Sequence, residues 1–151
     1  SEFTTALTHV CQDLAKQIVK DGEGATKVVK IQVTGAKTDQ DAYLACEAIA
    51  HSNLVKTAVY GEDPNWGRIT AAAGRSGADV DPARLDLYFD SQPLVLCGKW
   101  LGIEAERKVA LIMKQDEINI ELNLHLGNGS DHYYFCDFSE AYVKINADYR
   151  T

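Results

Sequence analysis

Ile118, Ile120, Leu122, Leu124 and Leu126 alternate without a break against Asn119, Glu121, Asn123 and His125. A period of two places successive side chains on opposite sides of an extended backbone, so this segment reads as a strand with one face in a core and the other wet. The Gly127-Asn128-Gly129 turn that follows predicts an antiparallel neighbour over residues 133–136. Val29, Ile31 and Val33 repeat the same period and stop at Gly35. Leu85, Leu87 and Phe89 repeat it again, and a turn holding Asp90, Ser91 and Pro93 leads to a short apolar partner over 94–96.

Between these strands the period changes. Phe3, Leu7, Val10, Leu14 and Ile18 recur every three or four residues, which sets one apolar stripe along an opening helix of about four turns. Lys20 falls near its end, where a cation complements the helix dipole, and Gly22 and Gly24 stop it. Thr38 with Asp41 reads as a capping box for a helix that buries Ala42, Ala45, Cys46 and Ile49. The run 54–60 is expected to be a second strand. Asp63-Pro64 then signals a helix start, with a short helix over 66–73 closed by Gly74. Ala105, Val109 and Ile112 mark a further helical face. Residues 74–82, rich in Gly, Asp and Ala, are the expected lobe boundary. The prediction is α+β: a helix-strand-helix-strand-helix lobe over 1–77, then a small mixed lobe over 78–151 with an antiparallel sheet.

The 151 residues, 46% hydrophobic and 25% charged, suit a single compact core or two small lobes sharing one. With 22 acidic and 15 basic residues the formal charge is −7, which repels phosphate backbones and anionic membranes, so neither nucleic acid nor membrane is an expected partner. No apolar run approaches the roughly 20 residues of a membrane helix, and no signal-peptide order opens the chain. A cytoplasmic protein is expected. Cys11, Cys46, Cys97 and Cys136 are widely spaced without a CxxC pair, and His9, His51, His125 and His132 are equally scattered. Free thiols and no metal site follow.

Three stretches could carry chemistry. Residues 21–27, DGEGATK, pack two glycines, two carboxylates, a hydroxyl and an ammonium between helix and strand, where backbone can approach a ligand. The GxxxxGK[ST] spacing of a phosphate loop is absent, and a polar turn would explain the same composition. Residues 53–68 gather Lys56, Tyr60, Glu62, Asp63, Asn65, Trp66 and Arg68 before a helix amino terminus, which favours a nearby anion. A core Trp66, a capping Asp63 and an ion-paired Arg68 would explain these residues singly. The final six, NADYRT, are polar and by default a frayed tail.

Taken together, FTTALTHVCQDLAKQIVKDGEGATK over 3–27, SNLVKTAVYGEDPNWGRI over 52–69 and the terminal NADYRT resemble the carboxy-terminal part of ornithine acetyltransferases, the glutamate N-acetyltransferases of arginine biosynthesis. The resemblance spans nearly the whole chain. It implies a ping-pong transfer of acetyl from N-acetylornithine to glutamate through a threonine freed by self-cleavage of a precursor. It also implies substrate-binding roles for Glu23, facing an ammonium, and for Asn146 with the carboxylate of Thr151. The nucleophile and the oxyanion donors would belong to an upstream chain, since Thr4, Thr5 and Thr8 fall inside the matched helix. The segment alone should be inactive, should supply one wall of an amino-acid pocket without a cofactor, and should oligomerise through helix faces meant for its partner. Acetyl-coenzyme A stays open as a further donor of the whole enzyme, as does a mitochondrial matrix location for a fungal source. A catalytically silent ligand-binding or assembly domain is the competing reading. A related self-cleaving aminopeptidase is weaker, because NADYRT and GEDPNWGR point to the acetyltransferase branch.

Overall fold

The computed structural model describes residues 1–148. In chain order the elements are α1 (Glu2–Lys20), β1 (Val28–Ala36), α2 (Asp39–Ala50), α3 (Asn53–Tyr60), α4 (Trp66–Gly74), β2 (Asp86–Phe89), β3 (Gln92–Leu96), β4 (Lys99–Trp100), α5 (Ile103–Ile112), β5 (Glu117–Asn123), β6 (Gly129–Cys136) and α6 (Glu140–Asp148). The strands form one sheet in the order β4-β3-β2-β5-β1-β6. Only β1 and β5 run parallel; every other neighbouring pair is antiparallel. The class is α+β, as the mixed order of patterns predicts.

Alternation along the strands decides which face is buried. Val29, Ile31 and Val33 lie level with Ile118, Ile120 and Leu122, and Leu87 pairs with Leu122, so one face is a continuous aliphatic surface. These residues are fully buried together with Phe89, Cys46, Ile49, Val109 and Met113. The small residues Ala42, Ala45 and Cys46 let α2 lie close against β1 and β6. The opposite face carries Lys30, Gln32, Thr34, Asn119, Glu121 and Asn123. On that polar side α1 lies beside β6, held by Lys16 Nζ donating to Glu117 Oε2 at 2.6 Å and by Gln12 against His132 Nε2. That hydrogen bond holds the Glu117 carboxyl below its usual range and the Lys16 ammonium above its own. No residue of α1 is buried, and Phe3 and Ile18 of its apolar stripe are each 75% exposed. No described helix is long and apolar enough to cross a membrane.

Several local expectations are corrected. Residues 54–60 are helical, not extended: Val55, Ala58 and Val59 are the buried set, spaced three and one apart, and the Ser52 side chain caps the first turn through Val55 N. Helical period and a cap outweigh the β-branched composition there. β6 is not the partner of β5 but of β1, with Val28 opposite Cys136. After β5, the amides of Leu124 and Leu126 donate to the carbonyls of Thr34 and Gly35, and the chain crosses the end of β1. At Gly127 a Cβ would stand 2.6 Å from the Ala36 carbonyl oxygen, so the glycine permits a crossing rather than a tight hairpin. Pro93 belongs to β3 instead of the turn, where Asp90 takes φ 49°. The capping residue of α4 is Asn65, two beyond the expected Asp63. Residues 74–82 begin at the last residue of α4 and lead towards β2, and the sheet draws β1 from before that stretch and its other strands from after it.

Phe89 is fully buried in the common core, so Phe89→Ala is expected to destabilise the fold by about 3–5 kcal/mol, measured by urea denaturation. Burial pushes the Cys46 thiol from 9.0 up to about 12. In the unfolded chain that thiol ionises near its ordinary value, so stability should fall as pH rises from about 9 towards about 12. At pH 8, iodoacetamide should modify the exposed Cys11 and Cys97 in the native protein and reach Cys46 only after denaturation, read by peptide mass.

Candidate functional site

The β1–β6 register decides what meets the loop between α1 and β1. With Val28 opposite Cys136, the next residue of β6, Asp137, arrives beside Thr26 and Lys27. Asp137 is 4% exposed, and an ionised carboxylate can only accept, so it needs donors when buried. It has three: the amides of Thr26 (2.8 Å) and Lys27 (2.9 Å) reach Oδ1, and the Thr26 hydroxyl reaches Oδ2 at 2.6 Å. Two residues on, buried Ser139 donates its hydroxyl to the Gly24 carbonyl at 2.6 Å and accepts from Tyr142 N at 3.2 Å, capping α6 while pinning it to the loop. Gly24 has φ 68°, and a Cβ there would stand 2.7 Å from Tyr142 N. Only glycine meets both demands.

The second motif joins at the same end of the sheet. Lys27, 7% exposed, donates from Nζ to Glu62 Oε1 and to the Gln115 carbonyl, each at 3.3 Å. Phe138 N donates to the Lys56 carbonyl, and the Phe138 ring packs edge-on against Tyr142 at 5.0 Å. Asn65 caps α4 through Arg68 N while its own amide donates to Asp63 Oδ2 at 2.9 Å, so Asp63 supports the cap instead of forming it. Arg68 makes no ion pair among the described residues; its Nη1 donates to the Leu54 carbonyl at 2.9 Å and ties α4 to α3. Trp66 packs, half-buried, against the core.

The third motif reaches the loop through α6. The Asn146 amide donates to Glu23 Oε2 at 3.1 Å and to the Tyr142 carbonyl, one turn back, at 2.9 Å. Glu23 and Asn146 are both exposed, so the carboxylate offers an open, oriented acceptor pair suited to a cation. Thr151 lies outside the described residues. Sequence reasoning singled out Glu23 and Asn146 but not Asp137 or Ser139; the available signal was a Ser two residues after an Asp, both directly preceding a helical stretch.

Two other features stand apart from this cluster. A groove of about 670 Å³ opens between α1 and β6, lined by Leu7, Cys11, Ala15, Ile18, Tyr133 and Tyr134 among others. At the far end of β2, Asp86 accepts from Cys97 N and pairs with His125 Nε2, each at 2.7 Å, bracing the β3 turn. Among the described residues no group of three or more His, Cys, Asp or Glu could hold a metal ion.

The whole chain, residues 1–151, matches the model of the ArgJ family. It is 53% identical over 149 residues to the arginine biosynthesis bifunctional protein ArgJ of Dehalococcoides mccartyi, covering 99% of this chain and 36% of that protein. It is 52% identical over 157 residues to the glutamate N-acetyltransferase of Methanocaldococcus jannaschii, covering 99% of this chain and 39% of that one. The crystal structure of the arginine biosynthesis bifunctional protein argJ from Bacillus halodurans superposes with a TM-score of 0.92 at 43% identity, over 98% of this chain and 70% of that one. The chain thus spans well under half the length of these curated relatives. A matching family model over every residue, with a fold shared at this identity, places the chain in the ArgJ family.

Proposed function

We propose that this chain is the carboxy-terminal part of a self-cleaving acetyltransferase that moves acetyl from N-acetylornithine to glutamate, and that it forms one wall of the amino-acid pocket. The observation that carries the reading is the Asn146–Glu23 hydrogen bond, which joins the DGEGATK loop to the chain's last helix although 123 residues separate them. The glutamate N-acetyltransferase name of one relative supports the substrate class. In this reading Glu23 neutralises a substrate ammonium, while Asn146 and the Thr151 carboxylate hold the polar groups of the amino acid.

The reacting hydroxyl is supplied from the upstream chain. A threonine hydroxyl is a weak nucleophile near neutral pH, and self-cleavage exposes the threonine's own α-amine as the nearby base. The threonine oxygen takes the acetyl group from the donor nitrogen and releases ornithine. The glutamate amine then takes the acetyl from the threonine ester and restores the hydroxyl. Nothing in this chain performs those steps, so its contribution is binding and orientation. The exposed stripe of Phe3, Leu7, Val10, Leu14 and Ile18 is where the upstream chain would cover α1.

In the complete enzyme, Glu23→Gln is expected to raise KM for N-acetylornithine roughly tenfold or more with kcat little changed, the mark of a lost charge-assisted contact made equally in ground and transition states. Unchanged KM and kcat would remove the assignment. The isolated chain should transfer no acetyl group and should self-associate at millimolar concentration by light scattering, with transfer restored on adding the upstream chain. Failure of that reconstitution in a well-folded mixture would favour a catalytically silent binding domain.

A further inference from the structure

We propose that Asp137 is a positioning residue for the amino-acid site, acting through Glu23; the inference rests on the pocket role given to Glu23 above. Glu23 stands at the corner of a tight turn closed by Ala25 N donating to the Gly22 carbonyl at 3.0 Å, with the positive φ of Gly24 completing the bend. Such a turn projects its corner side chain in a fixed direction only if its flanks are fixed. On the upstream side the flank is the end of α1, where Asp21 N closes on the Gln17 carbonyl at 3.0 Å. That helix has no buried residue of its own, and its ties to the sheet within this chain are exposed polar contacts.

The downstream flank is the one that this chain anchors in its own buried structure, and Asp137 supplies the anchor. Its carboxylate gathers two consecutive amides and the Thr26 hydroxyl, all within 2.6–2.9 Å, and the group is buried away from competing water. The same β6 exit carries Ser139, which holds the Gly24 carbonyl and caps α6, the helix that brings Asn146 to Glu23. Turn and helix are thus referenced to one rigid point at the end of β6. Among the described residues Asp137 bonds to Thr26 and Lys27 and to neither Glu23 nor Asn146, so its influence on Glu23 passes through the backbone of 24–27.

The test is acetyl transfer by the complete enzyme with Asp137→Asn, Thr26→Val, Thr26→Ser and Glu23→Gln, singly and as the Glu23→Gln/Asp137→Asn and Glu23→Gln/Thr26→Val doubles. Asparagine keeps the size of Asp137 but loses the charge and one acceptor oxygen; valine removes only the hydroxyl of Thr26, and serine restores it. Asp137→Asn and Thr26→Val are each expected to raise KM for N-acetylornithine about three- to tenfold with kcat within about twofold, and Thr26→Ser to stay near the parent. Added to Glu23→Gln, either substitution should change KM by no more than about twofold, because the side chain being positioned is already disabled. A merely structural role would give effects that multiply independently. Such multiplication, or an unchanged KM in Asp137→Asn and Thr26→Val while Glu23→Gln raises it, overturns the proposal. If Glu23→Gln itself leaves KM unchanged, the pocket assignment fails and this inference falls with it. Should Asp137→Asn not fold, the Thr26 variants and their double decide the matter alone.

Discussion

The placement of β1 between a parallel β5 and an antiparallel β6 is the constraint on which the rest depends. Val29, Ile31 and Val33 are fully buried, and a slip of one residue would turn them onto the face that carries Lys30, Gln32 and Thr34. That cost fixes the register on both sides of the strand. Once Val28 faces Cys136, Asp137 has one place to go, beside the amides of Thr26 and Lys27, and Ser139 follows beside Gly24. The core therefore determines, through two strand partners, how the DGEGATK loop is held. That loop is short and glycine-rich, yet its geometry follows from aliphatic packing one layer away.

What the fold leaves uncovered is as informative as what it buries. The helical layer of α2, α4 and α5 seals one face of the sheet, whereas α1 lies on the other with its apolar stripe in solvent. Its visible ties are polar, through Lys16 to Glu117 and Gln12 to His132, and such exposed contacts contribute little stability. This helix of 19 residues keeps its apolar stripe exposed and buries no residue, and it is the surface the proposed upstream chain would cover. The relatives are more than twice as long as the region they share with this chain.

Much of this was legible from residue order, and the misses have physical causes. The strands β1, β2 and β5, the helix faces of α2 and α5, and the Thr38 cap were readable because one-sided burial imposes a period on the side chains. The run 54–60 was misread because Val55, Thr57 and Val59 favour extended backbone in isolation; packing of Val55, Ala58 and Val59 against the core made it helical. The pairing of β6 was misread because a Gly-Asn-Gly run suits a hairpin as well as a crossing, and only the three-dimensional position of β1 distinguishes them. At the site, Glu23 and Asn146 stood out through their motifs, while Asp137 and Ser139 did not: a buried polar residue that holds backbone has no period and no composition to announce it. Helix α6 replaced the expected frayed tail through residue 148 because Ser139 caps it and binds it to Gly24.

In the proposed enzyme this chain presents Glu23 to the cationic group of an amino-acid substrate beside a reactive hydroxyl supplied from elsewhere. A crystal structure of the complete enzyme with N-acetylornithine bound addresses it directly. The substrate ammonium is expected about 3 Å from the Glu23 carboxylate, with the Asn146 amide alongside. A substrate seated elsewhere, with Glu23 facing only solvent and Asn146, would contradict it.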